Sequence, residues 1–327
     1  MTDPRDEANG APARPSLAST RPRSRSLPGC HPKPKHEDPA AADRIATILA
    51  SPSYGAADHD LSFLASDELR GVRLQLDYEK AELFLERHRI AHTIVVFGST
   101  RLSEPTIAAA HLAELEGRLA VTPGDTELAR QLAVARRLLV SSRFYDEART
   151  VGRLVGEAAS RATGGRVVVM TGGGPGIMEA ANRGACDVGS QSVGLNITLP
   201  HEQFPNPYVT PELCFSFHYF AIRKLHFLQR ARALIAFPGG FGTLDELFET
   251  LTLIQTRKMP AVPVVLVGRD YWQRVFDADF LVAEGTIDPE DRELFGFAET
   301  GAEAWDIVCR WHAAAGTEVF SAKGTSA

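Results

Sequence analysis

From His92 onward, short β-branched runs alternate with longer stretches whose apolar positions recur at helical spacing. The runs "HTIVVFGS", "RVVVMTGG", "SVGLNI", "LCFSF", "ALIAFPGG" and "VPVVLVG" read as strands, the last of them closing the series. Between and around them lie helical patterns. "VRLQLDYEKAELFLERHRI" places Leu74, Tyr78, Ala81 and Leu85 on one face, and Asp125 to Ala159 is helical with a break near Ser141. "GIMEAANRGA", "HYFAIRKLHFLQRA", "TLDELFETLTLIQT" and the closing "GAEAWDIVCRWHAA" follow. Strands that are apolar throughout, separated by helices, predict an α/β fold whose mostly parallel sheet is covered on both faces. Right-handed crossovers then gather the strand C-termini along one edge, where open α/β sheets bind ligands near the topological switch point.

The first 58 residues break this pattern. "ARPSLASTRPRSRSLPGCHPKPKHEDPA" is rich in Pro, Ser and Arg and poor in large apolar residues. Such a segment buries too little surface to offset its ordering entropy, so residues 1–58 read as a disordered tail. Order is expected near Leu61, with a single domain over 59–318 and a short C-terminal tail over 319–327. The basic "RPRSRS" reads as a solvated stretch more readily than as a contact for an acidic partner. With 327 residues, of which 44% are hydrophobic, the chain supports a large core. The net charge of −6 does not suggest a nucleic-acid partner. No apolar run approaches the roughly 18–20 residues that span a bilayer, and no apolar signal region opens the chain. Cys30, Cys186, Cys214 and Cys309 lack CxxC spacing and fit reduced thiols in a cytoplasmic protein.

Two glycine-rich junctions follow strand patterns: "TGGGPGIME", Thr171 to Glu179, and "PGGFGTLDE", Pro238 to Glu246. Glycine allows positive φ and close backbone approach, and a helix start exposes unpaired N–H groups at the positive end of its dipole. Together these make an anion site, most often for phosphate. The plain alternative is a tight strand-to-helix turn without a ligand. No Lys follows either loop, so neither is a P-loop, and Ile177 stands where the dinucleotide pattern after Gly172 and Gly174 needs glycine. An ATPase and a dehydrogenase are disfavoured. No HExxH or GxSxG occurs, so a zinc site and a serine hydrolase are not indicated.

Two features remain open on spacing alone. Thr243 and Glu246 fit a T-x-x-E capping box as well as a catalytic acid. Arg223 and Lys224, in the otherwise apolar "FHYFAIRKLHF", fit a snorkelling surface pair as well as an anion site.

Taken together, "GGGPGIMEAA", "RK" and "PGGFGTLDE" resemble the LONELY GUY family of cytokinin-activating phosphoribohydrolases, many of which carry the older label "possible lysine decarboxylase". Pro238, Gly239, Gly240, Gly242, Thr243 and Glu246 match every fixed position of the signature PGGxGTxxE. The resemblance spans about Thr93 to Val308. It implies a Rossmann-like doubly wound sheet and a homo-oligomer, with hydrolysis of an adenine-type nucleoside 5'-monophosphate to free base and ribose 5-phosphate. By resemblance, Arg223 and Glu246 take the catalytic positions, and Gly239, Gly240, Phe241, Gly242 and Thr243 the phosphate loop. Ser99, Gly173, Gly174, Gly176, Met178, Lys224, Leu244 and Asp245 fall to substrate binding, with Glu202 in "LPHE" and Thr252 further along the helix. No cofactor or metal is implied. The chain departs from compact members in a helical insert from about Glu104 to Arg161 and in "FPNPYVTPELCFSFHYF", which would shape the base pocket. The base is therefore either N6-prenylated adenine or a plainer purine, as in a general AMP nucleosidase. A non-catalytic nucleotide-binding protein would need neither Arg223 nor Glu246. A pyridoxal decarboxylase would need a Schiff-base lysine, and of the six lysines only Lys224 lies near a motif.

Overall fold

The computed structural model describes residues 31–159, 166–198 and 204–317. The chain divides into two units, Met1–Leu69 and Arg70–Ala327. In the first, α1 (Ala41–Leu49) and the short α2 (Leu61–Leu64) are helical, and the Asp60 side chain caps α2 by accepting from the Phe63 N–H at 3.0 Å. The tail expected over residues 1–58 is thus corrected across Ala41–Leu49. "AADRIATIL" carries good helix formers at most positions, a local preference that the surrounding Pro- and Ser-rich composition masks.

The second unit runs α3 (Arg70–Arg87), β1 (Ile90–Phe97), α4 (Pro105–Val121), α5 (Thr126–Ser141), α6 (Arg143–Ala159) and β2 (Arg166–Thr171). It continues with α7 (Ile177–Asp187), β3 (Ser192–Ile197), β4 (Cys214–Phe217), α8 (Phe220–Gln229), β5 (Ala231–Ala236) and α9 (Phe241–Gln255). It closes with β6 (Val264–Val267), α10 (Arg269–Val275), α11 (Ala278–Ala283), β7 (Gly296–Ala298) and α12 (Gly301–Ala314). Among the described residues the sheet has seven strands in the order β4-β3-β2-β1-β5-β6-β7, every neighbouring pair parallel. The expected Rossmann-like doubly wound α/β fold is found, with a sheet that is wholly rather than mostly parallel.

Each face of the sheet is dry. On one side Ile94, Val96, Val167, Val169, Ile235 and Val265 pack under α6, α7 and α12. On the other, Val95, Phe97, Met170, Leu234 and Leu266 meet Leu85 of α3, Phe227 of α8 and Leu247 of α9. Residues of β1 alternate between the two clusters, as a strand buried on both faces requires. The insert is a helical hairpin, α4 and α5, with a small core of its own around Leu115, Leu128, Leu132 and Ala135. The helix expected to break near Ser141 does so at Ser142, whose hydroxyl donates to the Leu139 carbonyl at 2.7 Å. The sequence pattern put the last strand at β6. The three-residue β7, "GFA", is too short to carry a period.

The strand order reverses between β1 and β5, so their C-terminal ends open a crevice that neighbouring crossovers do not cover. The Phe237 N–H donates to the Phe97 carbonyl at 2.8 Å, and the Ser99 N–H to the Pro238 carbonyl at 2.9 Å. The loops leaving the two strands are thereby laced together at this point.

Candidate active site

A cleft of about 690 Å³ occupies the switch point. The helix α9 forms one wall because "PGGFGT" turns the chain straight from β5 into it. The helix begins at Phe241 with Gly240 as its N-cap and no side-chain cap. This overturns the capping-box reading. Thr243 sits in the first turn rather than before it, and Glu246 lies one turn inside, out of reach of the helix entry. The Thr243 N–H is spent on the Gly240 carbonyl at 2.9 Å, leaving Phe241 and Gly242 as the amides without a preceding helical carbonyl. Gly240, Phe241 and Gly242 are all exposed, and Phe241 is 89% exposed at the loop's tip.

Gly239 explains itself by space. A Cβ there would lie 2.1 Å from Thr243 Oγ1 and 3.1 Å from the Gly98 backbone. The loop is also tied from above, since the Tyr271 hydroxyl donates to the Gly239 carbonyl at 2.5 Å. Gly239→Ala is therefore expected to destabilise the fold by roughly 1–3 kcal/mol through overpacking. Denaturant unfolding reads this directly, and an unshifted midpoint would mean that the turn has slack.

The other glycine loop behaves differently. Gly176 has φ +75°, and a Cβ on it would lie 2.3 Å from the Ser99 carbonyl oxygen. That carbonyl accepts the Ile177 N–H at 3.1 Å. Gly173 and Gly174 give their carbonyls to Asn206, to its backbone N–H at 2.8 Å and its side-chain amide at 3.0 Å. Neither glycine lines the cleft. This loop holds the β1 loop in place and delivers Met178, which does line the cleft. Of the two glycine-rich loops, it is "PGGFGT" whose glycines line the cleft.

Glu246 and Arg223 meet in the cleft. Glu246 is 4% exposed, with Oε1 at 3.9 Å from Arg223 Nη1 and no hydrogen-bond partner for Oε2. Burial pushes its carboxyl up to about 7, against the pull of Arg223 and Lys224. Arg223 is fixed by an Nε–H bond to the Leu195 carbonyl at 2.7 Å and by the Phe227 ring 5.0 Å from its guanidinium carbon. A Cβ on Gly172 would come within 2.7 Å of Arg223 Nη2, so the residue there must be glycine for the guanidinium to stay. Arg223 is not a snorkelling surface cation.

Other expected site residues are placed as follows. Ser99 and Asp245 line the cleft. Lys224 does not. Its Nζ binds Asp245 at 2.7 Å and Glu249 at 3.0 Å. Leu244, on α9, packs against the core, and the Thr252 hydroxyl turns back to the Phe248 carbonyl at 2.7 Å on an exposed face. Glu202 lies outside the described residues. Tyr271, Asn206, Arg101 and the insert residues Leu138 and Ser141 were not singled out from the sequence, yet they line or brace the cleft. Only Asn206, just before a proline, carries even a weak turn signal.

The fold and site are those of a Rossmann-like α/β protein with an amide-lined cleft at its switch point and a buried carboxyl of near-neutral pKa inside it. Residues 178–308 match the family model described as "Possible lysine decarboxylase". A probable cytokinin riboside 5'-monophosphate phosphoribohydrolase of Oryza sativa subsp. japonica is 32% identical over 147 residues, 44% of this chain and 57% of the relative. A cytokinin riboside 5'-monophosphate phosphoribohydrolase of Arabidopsis thaliana is 39% identical over 83 residues, 25% of this chain and 38% of the relative. The resemblance read from the three motifs is borne out: over these segments the chain is similar to cytokinin riboside 5'-monophosphate phosphoribohydrolases. It spans little more than half the length of the rice relative. The Moco carrier protein of Chlamydomonas reinhardtii is a similar solved structure, with 18% identity, a TM-score of 0.40 and coverage of 68% of this chain and 98% of that one. Among the described residues no cluster of His, Cys, Asp and Glu is arranged to hold a metal ion, and no helix is long and apolar enough to cross a membrane.

Proposed function

We propose that this chain hydrolyses the N-glycosidic bond of an adenine-type nucleoside 5'-monophosphate, releasing the free base and ribose 5-phosphate. The observation that carries the proposal is Glu246: a buried carboxyl with an unpartnered oxygen, one helical turn from exposed first-turn amides and facing Arg223. Phosphate on the amides of Phe241 and Gly242 would anchor the sugar. From Gly242 to Glu246 the helix rises roughly 6 Å, a span that a ribose bridges between its phosphate and its anomeric carbon. Breaking the C1'–N bond builds positive charge on the sugar, which the Glu246 carboxylate stabilises. Water adds its oxygen to C1' and gives a proton to Glu246. The bond's electron pair leaves with the base nitrogen, which takes up a proton from solvent. A carboxyl with a pKa of about 7 suits this transfer near neutrality. Arg223 holds the carboxylate in its charged form at the start of the cycle.

The decarboxylase label fits the residues poorly. A Schiff-base lysine must shed its proton readily. Burial pulls the Lys224 ammonium down, but the carboxylates of Asp245 and Glu249 outweigh it and raise its pKa. Lys224 also lies outside the cleft lining.

A panel of nucleoside monophosphates with the matching nucleosides tests the proposal. AMP or an N6-modified AMP should yield free base and ribose 5-phosphate, with adenosine slower by roughly 10²-fold or more because the remote phosphate anchors the sugar. The relative rates on AMP and N6-prenyl-AMP separate general nucleotide salvage from cytokinin release. Binding without release of base from any member would leave a nucleotide-binding protein and end the hydrolase reading.

A further inference from the structure

We infer that Arg101 supplies the cationic partner of the substrate's 5'-phosphate, from the β1 side of the cleft. The identity of the ligand rests on the proposed hydrolase reading. The need for a cation there follows from the residues alone.

The N-terminal end of a helix carries about half a positive charge. That does not balance a phosphate dianion, so a full cation is wanted nearby. Arg223 is committed elsewhere, with its Nε on the Leu195 carbonyl at 2.7 Å and its Nη1 facing Glu246 at 3.9 Å. Lys224 is neutralised by Asp245 and Glu249. Arg101 also lines the cleft and is exposed, and no ion pair with a carboxylate is found for it among the described residues. Its loop is pinned at three points. The Ser99 N–H donates to the Pro238 carbonyl at 2.9 Å, the Ser99 carbonyl accepts from Ile177 at 3.1 Å, and the Arg101 N–H donates to Ser99 Oγ at 3.1 Å. Arg101 shares the cleft lining with Gly240, Phe241 and Gly242, the residues that open α9. An independent sign that the cleft takes a ligand is Glu246, 4% exposed with Oε2 unpartnered. A carboxylate repels a phosphate, which assigns the Glu246 side of the cleft to the sugar and leaves the anion to the first-turn amides of Phe241 and Gly242, with Arg101 lining the same cleft. A guanidinium there offers two parallel N–H donors to phosphate oxygens, which a lysine does not.

The test is titration calorimetry of the full chain with ribose 5-phosphate, comparing wild type with Arg101→Met and Arg101→Lys. Arg101→Met should weaken binding roughly 10- to 100-fold, with Arg101→Lys between the two and thermal midpoints unchanged, since the side chain is exposed. In turnover assays Arg101→Met should lower kcat/KM for AMP far more than that for adenosine. Equal affinity of wild type and Arg101→Met for ribose 5-phosphate would overturn the assignment, as would a wild type that does not bind it. A wild type that binds ribose 5-phosphate through Arg101 yet releases no base from AMP keeps this assignment and removes the hydrolase reading instead.

Discussion

Glu246→Gln is expected to lower turnover of the nucleotide by roughly 10²–10³-fold and to leave a folded protein. Its stability should diverge from wild type in one direction. The folded-state pKa of Glu246 lies at about 7, above its ordinary value of 4.5. The protonated carboxyl therefore contributes stability that is fully present below about 4.5 and lost as pH rises through about 7. Glutamine does not titrate. The variant should match wild type at low pH and exceed it above neutrality, by up to the order of 3 kcal/mol. Chemical unfolding at pH 5 and pH 8.5, run beside a turnover assay, reads both effects. A variant that loses stability at every pH and keeps its rate per folded molecule would make Glu246 a structural residue.

The second large effect is expected at Arg223. Arg223→Ala should lower kcat at neutral pH by roughly 10²-fold or more. It should also move the pH–rate profile. Burial raises the Glu246 carboxyl, and Arg223 is the largest influence opposing that rise. Without the guanidinium the carboxyl climbs further above about 7, so the acid limb of the rate profile shifts to higher pH and part of the activity returns in alkaline buffer. Arg223→Lys should recover part of both. An unchanged profile in Arg223→Ala would separate the two residues and remove Arg223 from the scheme.

Much of this site was legible in the sequence because its central parts are local. "PGGFGTLDE" encodes a strand end, a turn and a helix start in consecutive residues, so the spacing of Gly239, Thr243 and Glu246 along the turn is set locally. The parallel sheet was legible for a similar reason: strands buried on both faces are apolar throughout and stand out between amphipathic helices. What escaped depends on contacts distant in sequence. Tyr271 reaches Gly239 from beyond β6, and Asn206 braces Gly173 and Gly174 from the segment before β4. Lys224 was grouped with Arg223 as its neighbour, but adjacent helix residues point about 100° apart. One enters the cleft, and the other turns to Asp245 and Glu249. Thr243 and Glu246 have the spacing of a capping box, and only the position of the helix start, two residues before Thr243, decides against it. The two glycine loops look alike as strings. Their difference is topological, since β5 lies beside the switch point and β2 does not.

The most direct measurement is a crystal structure of Glu246→Gln soaked with AMP, in which slowed turnover leaves the nucleotide intact. The 5'-phosphate is expected on the amides of Phe241 and Gly242, with C1' beside the side chain of residue 246 and Arg223 alongside. A nucleotide bound elsewhere on the molecule, or seated here with its sugar turned away from residue 246, would contradict that expectation.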